Sequence, residues 1–146
     1  MGIKNKIVEM RDNYVIKQVA KLELPEFEPD KKRRYLVIFS GRVQNVGFRL
    51  EISELAKRLE LTGYCTNLEN GDVMVELQGP KNKIKYLVSF MYSLKRIKIK
   101  SRTVVRLDVI HEEESFEMIE REEDDDIEVM EAFDAMGEIE ATDGKE

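Results

Sequence analysis

From Tyr35 onward the hydrophobic period of the chain alternates between that of a strand and that of a helix, and this limits the folds open to it. YLVIFSG is a short apolar run closed by Gly41, and it predicts a buried strand at about 34–40. In RLEISELAKRLEL the residues Leu50, Ile52, Leu55, Ala56 and Leu59 fall on one helical stripe. The stripe predicts a helix at about 48–61, with Gly63 as its stop. GYCTNLENGDVMVELQG reads as a hairpin: Tyr64–Thr66 as the first arm, Glu69-Asn70-Gly71 as the turn, and Val73, Val75 and Leu77 along the second arm. Pro80 suits the first turn of another helix, whose Ile84, Leu87, Val88, Met91 and Leu94 share a face. RTVVRLDVI is a further strand and ESFEMIE a short last one. The order βαββα followed by β is that of an α+β, ferredoxin-like βαββαβ sandwich, in which an antiparallel sheet carries two helices on one face.

Two segments flank this unit. Ile3, Ile7, Met10 and Tyr14, with a second row of Val8, Val15 and Val19, give residues 3–22 the spacing of an amphipathic helix. PEFEPD then forms an extended connector, because a residue before proline avoids the helical region. The expected division is therefore an N-terminal extension and linker at 1–30, a folded domain at 31–120 and a flexible acidic tail at 121–146. The N-terminal helix is expected to pack on its own domain or to pair with a copy, and partner docking through it is the less favoured expectation.

Composition excludes several chemistries. With a single cysteine, Cys65, and a single histidine, His111, neither a disulfide framework nor a Cys/His metal centre is available. No apolar run approaches the roughly 20 residues that span a bilayer, and the N-terminus lacks the hydrophobic stretch of a secretory signal. A cytoplasmic protein with no membrane partner is the expectation. The net charge of -6 conceals an asymmetry: residues 31–110 carry 17 basic against 7 acidic side chains, and residues 111–146 carry 2 against 17. A basic middle attracts anions.

The chemistry concentrates in one loop, Ser40 to Arg49, between the first strand and the first helix of the domain. Such a loop presents successive backbone N–H groups, and the start of the helix adds partial positive charge. Gly41 and Gly47 permit close approach of an anion, and Arg49 offers a fork of donors suited to a tetrahedral oxyanion. The loop lacks the GKS/T ending of a nucleotide P-loop.

GRVQNVGFR at 41–49 resembles the acylphosphatase signature GxVQGVxFR, and Gly63–Val73 is similar to the family's second motif, GxVxNxxxGxV. The resemblance covers about 34–119. It implies a small hydrolase that splits the carboxyl-phosphate bond of acyl phosphates without a metal, so no cofactor and no metal are expected. It assigns the family's arginine to Arg49, holding the phosphoryl group, and its asparagine to Asn67, positioning water. The phosphate cradle falls on the amides of Gln44, Asn45, Val46, Gly47 and Phe48. Asn45 stands where the pattern has glycine, Cys65 where it has a small apolar residue, and Leu68 replaces a more typical polar residue. If position 45 needs positive φ, asparagine is the next most tolerant choice.

Two other readings stay open: a basic nucleic-acid-binding module, since RNA-recognition domains share this element order, and an inactive acylphosphatase-like regulator. Against the first, DVMVELQ carries no aromatic residue on which a base could stack, so a nucleic-acid partner is not expected. His111 and the basic cluster Lys95, Arg96, Lys98, Lys100 and Arg102 are expected to be solvated surface.

Overall fold

The computed structural model describes residues 2–120 and the backbone of 140–142. The elements are α1 (Ile3–Lys21), β1 (Lys32–Arg42), α2 (Phe48–Arg58), β2 (Thr62–Asn67), β3 (Val73–Pro80), α3 (Lys81–Ser93), β4 (Lys98–Leu107), β5 (Phe116–Met118) and β6 (Glu140–Thr142). They build one sheet in the order β5-β2-β3-β1-β4-β6. Strand β1 lies at the centre between β3 and β4, antiparallel to both, and β2 pairs antiparallel with β3. Strand β5 joins the outer edge of β2 in parallel, which makes the sheet mixed, and β6 pairs antiparallel with β4. The rest of the expected acidic tail, 121–139 and 143–146, lies outside the described residues.

The period-2 alternation of β1 divides the apolar residues between two faces. Val37 and Phe39 enter the main core with Ile52 and Leu55 of α2, its C-cap Leu59, and Ile84, Leu87 and Met91 of α3. Leu36 and Ile38 face the other way, in a smaller cluster with Leu68, Met74 and Val105. A third helix, α1, packs along α2. Its Val15 and Val19 are fully buried in the main core, while Ile3, Ile7, Met10 and Tyr14 point to solvent. Arg58 fastens the far end of α1, donating from Nη1 to the carbonyls of Val19 (2.7 Å) and Leu22 (2.8 Å). A cation on the last carbonyls of a helix is favourable both as a cap and against the dipole. The connector then runs to α3, where Asp30 accepts from the Asn82 amide (2.9 Å) and Phe27 meets Tyr86 edge to face.

Several boundaries differ from the sequence expectation. Helix α2 ends at Arg58, not near 61, because Glu60 turns left-handed (φ 59) and satisfies the terminal carbonyls. The Leu61 amide bonds the Ala56 carbonyl and the Glu60 amide bonds the Lys57 carbonyl, which is the Schellman closure with glutamate in the usual glycine position. Gly63 does not stop the helix. It lies inside β2 at φ +131, where a Cβ would sit 1.9 Å from the Glu76 carbonyl oxygen of β3. Strand β4 occupies 98–107, starting and ending earlier than 102–110. Beyond Leu107 the chain leaves the sheet because Gln78 captures both backbone groups of Ile110: Nε2 donates to its carbonyl (2.8 Å) and Oε1 accepts from its amide (2.7 Å). Arg34 then binds Glu113 through two hydrogen bonds, 2.7 and 3.1 Å. These clamps lay the β4–β5 crossover on the open face of the sheet and so deliver β5 to β2.

Candidate active site

The loop between β1 and α2 turns through two left-handed residues, Asn45 (φ 62) and Gly47 (φ 80). Asn45 thus has positive φ, the condition under which asparagine is the next most tolerant choice after glycine. Gly47 is the N-cap of α2, directly under α1: a side chain there would begin 3.3 Å from Nε of Arg11. Gly41 belongs to β1, at an irregularity in its pairing with β4.

Three side chains hold this loop in place. Gln44 donates from Nε2 to the carbonyls of Leu68 (2.7 Å) and Asp72 (2.8 Å), tying the loop to the β2–β3 turn. Arg96 donates from Nε to the Val46 carbonyl (2.8 Å), and its Nη2 is in close hydrogen-bond contact with Glu51, a carboxylate only 3% exposed. Arg11 donates from Nη1 to the Asn45 carbonyl (3.2 Å). Arg96 is therefore not the solvated lysine-like residue expected from its basic neighbours. A buried carboxylate needs a cation, and here the cation's remaining donor reaches the loop.

Arg49 and Asn67 line one hollow of about 170 Å³, together with Asn45, Gly47, Phe48, Arg11 and Asp12. Gln44 and Val46 do not line it. Asn67 ends β2, and its Oδ1 is buried without a hydrogen-bond partner among the described residues. A buried acceptor left unmatched costs about 1–3 kcal/mol, so it is a group awaiting a donor. Arg49 stands in the first turn of α2 and is partly exposed. Its Nη1 meets the Glu120 carboxylate at 2.9 Å, and Glu120 is itself 85% exposed. Behind Arg49, the Cys65 thiol faces the Arg49 carbonyl at 3.8 Å. Burial pushes that thiol up to about 12, against the opposing pull of the Arg49 charge, so at neutral pH it is a small core group and not a nucleophile. The Leu68 side chain is buried on the opposite face of the sheet, which accounts for its apolar character. His111 is exposed. A larger hollow, about 350 Å³, lies between α3 and β4 with Lys81, Lys85 and Arg102 at apolar walls. It offers cations but no carboxamide beside them to orient water.

Sequence reasoning missed Arg11, Asp12, Glu51 and Arg96. Arg11 reaches Asn45, and Arg96 reaches Val46 and Glu51, across long stretches of chain, and nothing in the local periodicity marks them.

The family model described as Acylphosphatase matches residues 35–118. The chain belongs to the acylphosphatase family. It is 52% identical to an acylphosphatase of Clostridium beijerinckii over 56 residues, 38% of this chain and 62% of that protein. With the acylphosphatase of Vibrio parahaemolyticus it shares 52% over 54 residues, 58% of that protein. The chain thus spans somewhat under two thirds of these curated relatives. With the acylphosphatase of Clostridium acetobutylicum the match is 33% over 87 residues and 96% of that protein. Among solved structures, acylphosphatases from Bacillus subtilis and Coxiella burnetii superpose with TM-scores of 0.55 and 0.56 at 26% identity. Each covers 60% of this chain, and the superpositions take in 98% and 93% of those acylphosphatases. Helix α1 and Glu120 fall outside the segment that the acylphosphatase model matches. No helix among the described residues is long and apolar enough to cross a membrane.

Proposed function

We propose that this acylphosphatase-family chain hydrolyses acyl phosphates to a carboxylate and inorganic phosphate without a metal. Arg49 and the backbone amides of the lining residues Asn45, Gly47 and Phe48 hold the phosphoryl oxygens, the amides of Gln44 and Val46 complete the cradle beside them in the loop, and Asn67 orients water. The carrying observation is that a guanidinium and a buried, unmatched carboxamide oxygen share one small hollow at a helix N-terminus.

Each step follows from that arrangement. The substrate phosphoryl group displaces the Glu120 carboxylate from Arg49, at little cost, because an exposed ion pair is worth about 0–1 kcal/mol. Water donates one hydrogen to Asn67 Oδ1, which aims its lone pair at phosphorus. A bond forms from the water oxygen to phosphorus while the bond to the acyl oxygen breaks, and its electron pair leaves on the carboxylate. The proton of the attacking water ends on phosphate or solvent. The leaving carboxylate is stable, so little acid catalysis is needed. The protein's contribution is positioning and stabilisation of charge on the equatorial oxygens.

The nucleic-acid reading has no support from the open sheet face. The β4–β5 crossover covers part of it, and Tyr64 there spends its hydroxyl on Glu76 (2.7 Å). The test is a continuous assay of benzoyl phosphate hydrolysis with a chelator present. Turnover is expected to survive chelation, to vanish in Arg49→Ala, and to fall about 10²–10³-fold in Asn67→Ala, with both variants folded. Wild-type turnover in either variant, or loss of turnover on chelation, refutes the proposal.

A further inference from the structure

Helix α1 lies outside the acylphosphatase-matched segment, yet it sets Arg11 against the loop that encloses the hollow. The helix is not loosely placed: Val15 and Val19 are fully buried, and Arg58 caps its last turn. One turn before Val15, Asp12 Oδ1 accepts from both Nε (3.1 Å) and Nη2 (3.0 Å) of Arg11. A guanidinium is a rigid planar fork, so fixing two of its nitrogens fixes the third. Nη1 is left aimed at the Asn45 carbonyl, 3.2 Å away.

That contact governs an amide. In a trans peptide the N–H points opposite to the C=O. Holding the Asn45 carbonyl on Arg11 therefore fixes where the Val46 N–H points. Holding the Val46 carbonyl on Arg96 fixes the Gly47 N–H in the same way. Two successive peptides are pinned from outside the loop by two arginines. The pinning matters because Asn45 sits at φ 62, a left-handed conformation that costs a non-glycine residue about 1–2 kcal/mol. Without an external hold the 45–46 peptide is free to rotate and carry its N–H out of register.

We infer that Arg11 is a positioning residue of the phosphate cradle: held by Asp12, it orients the 45–46 peptide so that the extension α1 completes the site. This rests on the acyl phosphate hydrolase reading above. It assigns the N-terminal helix a part in the site itself, beyond packing on the domain.

The experiment uses the full chain with Arg11→Met and Arg11→Lys, and compares turnover of benzoyl phosphate with a titration of inorganic phosphate followed at the backbone amide resonances of Val46 and Gly47. Arg11 is at the surface, so both variants are expected to melt close to wild type. Arg11→Met is expected to lose about 10–100-fold in kcat/KM, the scale of a small misplacement of reacting groups. It is also expected to shift the Val46 amide in the free protein and to weaken phosphate binding. Arg11→Lys, which keeps a donor for the Asn45 carbonyl, is expected to recover part of each effect. Unchanged turnover and unchanged phosphate affinity in Arg11→Met overturn the inference. So does a loss of turnover with the Val46 and Gly47 amides and phosphate affinity unaltered, because Arg11 would then act elsewhere. Should the wild type prove unable to hydrolyse benzoyl phosphate, the hydrolase reading fails. The phosphate titration would still decide whether Arg11 sets the cradle.

Discussion

Replacing Arg34 by methionine withdraws the cation from a mostly buried cluster on the open face of the sheet. Arg34 is 2% exposed and donates to Glu76 (2.8 Å), Gln78 (3.2 Å) and both oxygens of Glu113. Methionine fills similar space, so the effect is mainly electrostatic. Removing one partner of a buried ion pair costs about 3–5 kcal/mol, because a charge is left uncompensated. Here the loss belongs at the lower end: Glu76 keeps its hydrogen bond from Tyr64, and both carboxylates retain 17–18% exposure through which to relax. About 3 kcal/mol is a large part of the roughly 5–15 kcal/mol by which a domain is stable. At about 2–4 °C per kcal/mol it lowers Tm by roughly 6–12 °C. The assay is urea unfolding followed by circular dichroism, where an m-value near 2 kcal/mol/M turns the loss into a midpoint shift of about 1.5 M. The double variant Arg34→Met/Glu113→Gln is expected to lose less than the sum of the singles, since it strands one carboxylate fewer. An Arg34→Met protein within about 1 kcal/mol of wild type would refute the claim that this cluster fastens the crossover.

Three shorter expectations accompany it. The Cys65 thiol is held far above its ordinary value of 9.0, so its contribution to stability is complete below pH 9 and is lost as pH rises from there towards about 12. Wild type is therefore expected to lose urea midpoint between pH 8 and pH 10.5 more steeply than Cys65→Ala, and parallel slopes would discard the point. Glu120→Gln frees Arg49 of a competing carboxylate and is expected to tighten inhibition by inorganic phosphate, by up to about fivefold. A weaker inhibition constant would show that Glu120 instead supports Arg49. Gly63→Ala drives a Cβ to 1.9 Å from a backbone oxygen at φ +131, and a cost above about 4 kcal/mol is expected, seen as loss of soluble, cooperatively melting protein.

The sequence made the element order plain because each of the main segments has a strong period, and it made Arg49 and Asn67 plain because two spaced motifs carry them. Boundaries were harder for identifiable reasons. Gly63 resembles a helix stop, but the closure of α2 depends on Glu60 accepting a left-handed φ, which composition disfavours. The end of β4 depends on Gln78, 32 residues from the Ile110 it captures. The supports of the loop were invisible for the same reason: Glu51 and Arg96 are 45 residues apart, and Arg11 and Asn45 are 34 apart. Local period groups the solvent-facing Ile3, Ile7, Met10 and Tyr14 of α1 as readily as the buried Val15 and Val19, so it does not single out the face that packs. It does not say that a polar residue beside that face will reach a distant peptide.

Because Arg11 comes from α1 and Glu120 from just beyond β5, the hollow around Arg49 closes only after distant segments have met. Each contact carries a loop-closure cost that grows with the length of chain it spans. Refolding should then restore helical signal before it restores competence, and turnover becomes a reporter on the final stage of assembly. Of the contacts around the hollow, the exposed Glu120 pairing is the one expected to loosen first under mild denaturant.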